Sequence, residues 1–262
     1  MRIQLRSMVE RLLGRDKYLS TFEDGFPNFK SASSACPGYN ADVINEKSFE
    51  AARAVVKGEA AFERDGVLFT HPDPRTPVIE ALRGAITAEG ALRVLDIGGG
   101  LGSSYWQNVG ALGVERLSWS VLERLDLVTM AAQLPPHPVT YLDDLDAALE
   151  SEWDAVLLSS VLQYLPDPHS VLQQVDRSSC RTIIVDRTPI RDRAEDIVCV
   201  QHAPAHIYQA SYPAWIFGRG TLEASLPSFS IIDRFPGIEP PMRTTSGINF
   251  RWEGFTATRG AG

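Results

Sequence analysis

Cysteine is scarce: Cys36, Cys180 and Cys199 are the only three in 262 residues, and no two form a Cys-x-x-Cys pair. That count and spacing exclude a disulfide framework and a zinc knuckle, and a reducing cytoplasm is the expected compartment. Positive charge is also short. Lys and Arg total 25 against 33 Asp and Glu, a net charge of −8. Nucleic-acid binding needs clustered cations to displace phosphate counterions, so it is disfavoured. Long apolar runs are missing too. The longest, around Val156–Leu162, is broken by Ser159 and Ser160, whereas about 20 apolar residues are needed to cross a bilayer. No integral membrane segment is expected. Neither HExxH nor GxSxG occurs, so a zinc-protease site and a hydrolase nucleophile elbow are both disfavoured and no metal site is expected. What is there is a chain 44% apolar and 22% charged, the composition of a protein with a sizeable buried core.

Organisation changes along the chain. Residues 1–20 place Ile3, Leu5, Met8, Val9, Leu12 and Leu13 among Arg2, Arg6, Arg11, Arg15 and Lys17. This is an amphipathic basic helix that packs on the domain or on a second copy in a homodimer, or rests on anionic lipid. Residues 19–40 read as a loop. Helical periodicity resumes through Asp42–Lys57, Glu59–Phe69 and Thr76–Ala88, interrupted by His71, Pro72, Asp73 and Pro74. Residues 1–90 therefore read as a helical cap and residues 91–262 as the ligand-binding, catalytic domain.

From Leu92 onward, β-rich runs alternate with helical ones. The strands fall at Leu92–Asp96, Leu117–Leu122, Val139–Leu142, Asp154–Leu158 and Thr182–Asp186. Between them lie Gly102–Leu112, Arg124–Leu134, Asp143–Glu150 and Pro168–Asp176. Such alternation predicts an α/β fold with a parallel sheet covered on both faces, binding ligands beyond the carboxyl ends of its strands. Ser228–Arg234 and Ile248–Thr258 then form an antiparallel hairpin at the sheet edge.

The first strand runs into Asp96-Ile97-Gly98-Gly99-Gly100-Leu101-Gly102, and a helix follows. Gly98, Gly100 and Gly102 let the backbone approach a ligand at the helix N-terminus. The dinucleotide fingerprint needs a further glycine where Ser103 stands, which disfavours a nicotinamide-dependent oxidoreductase. With Asp96 at the strand end, the GxGxG form suits S-adenosylmethionine, whose ammonium and sulfonium a carboxylate favours. Glu123 closes the second strand, where a carboxylate accepts both ribose hydroxyls. Asp143 or Asp144 follows the third strand, placed to accept the adenine amino group. Ser159 and Ser160 end the fourth, bordering the adenine and methionine parts. Ser104, in the first turn of the helix, joins this cofactor set. A tight βα turn would explain the loop by itself, but an ordinary turn does not need three spaced glycines behind an acidic strand end.

The sequence resembles the class I S-adenosylmethionine-dependent methyltransferases. More narrowly, it resembles a methyltransferase family associated with polysaccharide and secondary-metabolite gene clusters. The resemblance is carried by GEAAFERDGVLF at 58–69, LDIGGGLGSSYWQN at 95–108, LLSSVLQYLPDP at 157–168, IVDRTP at 184–189 and VQHAPAHIYQASYPAWIF at 200–217. It implies a Rossmann-like fold with a mostly parallel seven-stranded sheet, a carboxy-terminal antiparallel hairpin and an amino-terminal helical cap. It also implies S-adenosylmethionine as cofactor and a small-molecule acceptor. The azetidine-2-carboxylate synthases are cyclases built on the same fold. In such a cyclase the cofactor's amine attacks its own Cγ and releases methylthioadenosine, and the residues leave this alternative open beside methyl transfer.

Val200–Phe217 follows the fifth strand and gathers His202, His206, Tyr208, Ser211, Tyr212 and Trp215, with Pro204 and Pro213 against a regular helix. An aromatic wall here can stabilise a sulfonium by cation–π attraction. An aromatic loop anchoring the cap would have the same composition. His202 is the candidate general base, since imidazole titrates near neutrality; a hydrogen-bonded structural histidine is the competing reading. Gln163 and Tyr164 lie just past the fourth strand, and Tyr105, Gln107 and Asn108 lie in the helix after the glycine loop. Arg64 and Asp65 in the cap close over the ligand or form a surface ion pair. Arg187 binds a substrate carboxylate or pairs with Asp186. A non-catalytic ligand-binding subunit is the remaining reading from a different class.

Overall fold

A computed structural model of the chain describes residues 20–36, 41–203 and 210–260. The basic amino-terminal helix, His206 and Tyr208 lie outside the described residues. In chain order come β1 (Thr21–Phe26), α1 (Phe29–Ala35), α2 (Ala41–Val56), β2 (Phe62–Arg64), β3 (Val67–Phe69) and α3 (Thr76–Gly84). Then follow β4 (Ala91–Ile97), α4 (Ser103–Leu112), β5 (Arg116–Leu122), α5 (Leu125–Ala131), β6 (Val139–Leu142), α6 (Leu145–Leu149), β7 (Ala155–Ser159), α7 (Pro168–Arg177) and β8 (Thr182–Arg191). The chain ends in β9 (Ile197–His202), β10 (Ser211–Gly218), β11 (Phe229–Pro236), β12 (Met242–Arg243) and β13 (Asn249–Arg259).

The sheet has eleven strands rather than the expected seven: β6-β5-β4-β7-β8-β13-β11 form its centre, β12 pairs with β13, and β10-β9-β1 extend it from Ile190 and Arg191 of β8. β4 to β8 pair in parallel, and β13 is antiparallel to both β8 and β11. The carboxy-terminal hairpin thus inserts its second strand beside β8 and leaves β11 at the edge. Strands buried on both faces alternate their side chains between two apolar layers. Leu92, Val94, Trp119, Val121, Ala155, Leu157 and Ile184 meet Val78, Ile79, Leu82, Tyr105 and Leu112 of α3 and α4. Leu95, Ile97, Leu122, Val156, Leu158, Ile183 and Val185 meet Ala148, Leu172 and Val175 of α6 and α7. The strand order reverses between β4 and β7, which opens a crevice beyond their carboxyl ends.

Three local expectations change. Glu59–Phe69 is not helical. β2 and β3 form an antiparallel hairpin there, turning on Asp65 (φ 52°) and Gly66 (φ 72°), and an Asp-Gly pair with both φ positive is the favoured two-residue hairpin turn. Within the loop expected at residues 19–40, the described residues form β1, which pairs with β9, and α1, which is closed by a capping box in which Asn28 and Ser31 bond reciprocally. The described parts of Val200–Phe217, finally, have strand spacing, because β9 and β10 pair antiparallel from Ser211↔His202 to Ile216↔Ile197. Pro213 is tolerated because β10 reaches β8 only at Phe217 and Gly218, so no ladder partner on that side lacks a donor.

Beside this extension, His169 of α7 lies between Ser225 Oγ (2.8 Å) and Asp196 Oδ2 (2.6 Å). The Asp196 hydrogen bond raises the imidazole's pKa. Ser225 is buried, and Asp196 also accepts from Gly218 N and Thr221 Oγ1. Despite its serine–histidine–aspartate composition, this chain of bonds ties α7 to β10 and presents no accessible nucleophile. Among the described residues, no helix is long and apolar enough to cross a membrane.

Candidate ligand-binding site at the carboxyl ends of the strands

Alternation along the strands places one polar group from each of five neighbours on the α3–α4 face. They are Asp96 of β4, Glu123 just past β5, Tyr141 of β6, Ser159 of β7 and Asp186 of β8. The glycine loop crosses above them. Gly98 N–H donates to Leu122 O (2.9 Å), and Gly100 N–H donates to Glu123 Oε1 (3.1 Å). Gly98, Gly100 and Gly102 all have positive φ. Gly99 is needed for a different reason: a Cβ there would lie 2.4 Å from Asp96 Oδ2. The Asp96 carboxyl therefore faces directly into the loop.

Asp96 is 1% exposed. Its Oδ2 accepts the Trp119 indole N–H at 3.3 Å, and Oδ1 has no donor. Burial pushes its pKa up to about 7, against the opposing pull of Trp119 and of the Ser104 hydroxyl beside it. Glu123 is likewise raised by burial, opposed by the Arg124 and Gly100 N–H groups. The Tyr141 hydroxyl and the Trp106 indole nitrogen are buried without partners. Both lie close to Gly102, where a Cβ would stand 3.4 Å from the hydroxyl and 3.7 Å from the indole nitrogen. Burial raises the Tyr141 pKa first, and the Asp96 and Glu63 charges add to that. Unpaired buried polar atoms are rare in folded proteins. Three such atoms, Asp96 Oδ1, the Tyr141 hydroxyl oxygen and the Trp106 indole nitrogen, lie around one glycine loop.

Residues 160–164 form the wall between this loop and the sheet extension. Ser160 has φ 57° and donates its N–H to Asp186 O, a strained conformation of the kind that gathers at binding sites. Val161 packs against Gly98. Gln163 is 0% exposed; its Nε2 donates to Ser160 Oγ (3.0 Å), and its Oε1 has no donor. Tyr164 donates to Gln201 Oε1 (3.1 Å) and meets Tyr212 edge to face at 5.2 Å. Gln163, Tyr164, Gln201 and Tyr212 are thus brought together next to Ser159 and Ser160.

Other candidates are placed apart from them. His202 and Ser211 face each other on the opposite side of the β9–β10 ladder from Gln201 and Tyr212. His202 Nε2 pairs with Glu23 Oε2 at 3.2 Å on the partly exposed side. Ser211 is buried on that same side. Tyr105 is buried between Trp106 and Trp119, and burial raises its pKa. Asp143 is exposed after β6, while Asp144 caps α6. Ser104 accepts the Asn108 amide at its carbonyl (2.8 Å). Arg64 forms no ion pair with Asp65 among the described residues; its guanidinium sits 5.6 and 5.5 Å from the Phe62 and Phe69 ring centres. Arg187 pairs with Glu239 at 2.6 Å rather than with Asp186.

Three residues join the site without having been singled out from sequence. Arg75, before α3, holds Asp186 with Nη2 to Oδ1 at 2.9 Å, and Ser159 Oγ donates to the same carboxylate at 3.2 Å. Tyr141 reads in sequence as an ordinary strand aromatic. Glu63 of β2 is 4% exposed and accepts the Ser103 hydroxyl and Gly66 N–H. A charged residue between Phe62 and the apolar Val67–Phe69 run was the available signal, once Asp65-Gly66 is read as a turn.

The strand order and the glycine loop between β4 and α4 together define a Rossmann-like α/β fold. No protein-family model matches the chain, and no curated protein matches it in sequence. Among solved structures it is similar to the N-terminal domain of EvdMO1, crystallised in the presence of SAH and D-fucose, at 18% identity. That match covers 85% of this chain and 98% of the other with a TM-score of 0.46. It is also similar to 1,6-didemethyltoxoflavin-N1-methyltransferase of Burkholderia thailandensis (16% identity; 91% and 100% covered; TM-score 0.47). A third is CalS10, an amino pentose methyltransferase from Micromonospora echinaspora (14% identity; 71% and 89% covered; TM-score 0.42).

Proposed function

We propose that this protein binds S-adenosylmethionine over the Gly98–Gly102 loop and transfers its methyl group to a small-molecule acceptor, a sugar or a secondary-metabolite intermediate. The observation that carries this reading is the buried Asp96 carboxyl, which faces the glycine loop with one oxygen unpartnered while Glu123 is fixed by Gly100 N–H at the next strand end. A cationic nucleoside fits that set. Glu123, its Oε1 and Oε2 already oriented by the Gly100 and Arg124 N–H groups, accepts the ribose hydroxyls, and the acids at the loop favour positive charge.

When bound, S-adenosylmethionine supplies an electrophilic methyl group on a sulfonium. The chain's part is positioning and exclusion of water. Gln163, Tyr164, Gln201 and Tyr212 form the acceptor side. Residues 41–90 act as the cap, since the Glu63–Ser103, Arg75–Asp186 and Gln107–Asp73 hydrogen bonds all cross from them to the sheet side.

Incubation of the full chain with S-adenosylmethionine, alone and with candidate sugars or extracts, tests the reaction. S-adenosylhomocysteine is expected only when acceptor is present. Methylthioadenosine formed from the cofactor alone would replace methyl transfer by cyclisation. Glu123→Ala is expected to weaken cofactor binding by about 1.5–3 kcal/mol, the scale of a hydrogen bond to a charged group. Unchanged affinity by calorimetry would mean that the ribose lies elsewhere.

A further inference from the structure

Among the described residues no Lys, Arg or His forms an ion pair with the acids at the glycine loop. Glu63 and Asp96 are buried, and Glu123 is half-buried. Burying a carboxylate without a cation is costly. Two of the three flank one turn of helix. Glu63 reaches across from β2 to accept the Ser103 hydroxyl, and Asp96 lies beside Ser104 with Oδ1 unpartnered. The Tyr141 hydroxyl, itself unpartnered, stands at the start of the same turn, 3.4 Å from where a Cβ on Gly102 would lie.

That turn opens α4 without a side-chain cap, because its N-cap is Gly102 in the left-handed conformation. Its first N–H groups are free for an anion. A helix start that offers N–H donors, flanked by two buried carboxylates, complements a zwitterion: the carboxylate of an α-amino acid at the N–H groups and its ammonium at the acids.

We infer that Glu63 is a cofactor-binding residue that takes the ammonium of the methionine moiety together with Asp96, while the first turn of α4 takes the carboxylate. The inference rests on the proposed binding of S-adenosylmethionine. It adds that the cap hairpin itself grips the ligand rather than merely covering it.

Glu63→Gln tests this by calorimetry against three ligands. S-adenosylmethionine and S-adenosylhomocysteine both carry the ammonium and are each expected to bind about tenfold or more weakly. Methylthioadenosine lacks the amino-acid end and is expected to bind as it does to the unaltered protein. Parallel loss of all three would overturn the assignment, since Glu63 would then only anchor the hairpin. Loss confined to S-adenosylmethionine would place the carboxylate at the sulfonium instead, and no loss would remove Glu63 from the site. Failure of the unaltered protein to bind S-adenosylmethionine would instead strike the underlying reading.

Discussion

Gly98→Ala is expected to destabilise the chain by roughly 2–5 kcal/mol and to abolish cofactor binding, combining a strained φ with an overpacked contact. The two costs have separate origins. Gly98 sits at φ 72°, where an L side chain is strained. An added Cβ would also fall 2.2 Å from Val161 Cγ2 and 2.7 Å from Val161 Cβ. Neither neighbour can yield easily. Gly98 N–H is held by Leu122 O, and Val161 precedes the turn whose Gln163 is bonded to Ser160. Gly100→Ala is the control: its φ is 59°, but nothing lies within 4 Å of the added carbon. Only the strain remains there, so the loss should be visibly smaller. Val161→Ala placed on top of Gly98→Ala removes the nearest atom and should recover part of the stability but not the φ cost. Urea unfolding of the four proteins reads these differences; equal losses for Gly98→Ala and Gly100→Ala would show that the contact with Val161 carries no energy.

Where sequence and structure agree, local signals and tertiary environment coincide. The five parallel strands and the four helices between them are legible because each strand is a short apolar run ended by Gly, Asp, Glu or Ser, and each helix has a capping or breaking residue beside it. Asp96, Glu123 and Ser159 could be singled out for the same reason: a polar residue ending a buried strand can reach the crevice and little else. The disagreements arise where pairing is distant. Nothing near Thr21–Phe26 announces that its partner is Ile197–His202. The apolar spacing of Glu59–Phe69 fits a helix nearly as well as a hairpin, and the deciding residues are Asp65 and Gly66, which tolerate positive φ. His202 attracted attention by its chemistry, whereas period-two alternation turns it away from Gln201 and Tyr212. Glu63 and Arg75 reach partners forty and more than a hundred positions away, Ser103 and Asp186, and no single-chain pattern encodes such contacts.

Asp186→Ala tests the other distant contact, and its expected cost is about 3–5 kcal/mol, the scale for removing one partner of a buried ion pair. Asp186 is 1% exposed and receives Arg75 Nε and Nη2 at 3.1 and 2.9 Å as well as the Ser159 hydroxyl. Its removal strands a guanidinium whose side chain is only 14% exposed. The same arginine packs on Phe235, 5.5 Å from the ring centre, and its backbone N–H is accepted by Asn108 Oδ1. One residue therefore joins the start of α3, the body of α4, the middle of β8 and the end of β11. An apolar pair of similar volume, Arg75→Met with Asp186→Leu, should be far less damaging than Asp186→Ala, because it strands no charge. A double-mutant cycle in urea separates the coupling from the two individual losses. If the double variant is as unstable as the sum of the singles, the pair is not coupled and α3 is held by its apolar face alone. If the coupling is large and the apolar pair folds well yet binds S-adenosylmethionine poorly, the ion pair serves to place the start of α3 over the strand ends beside Ser159.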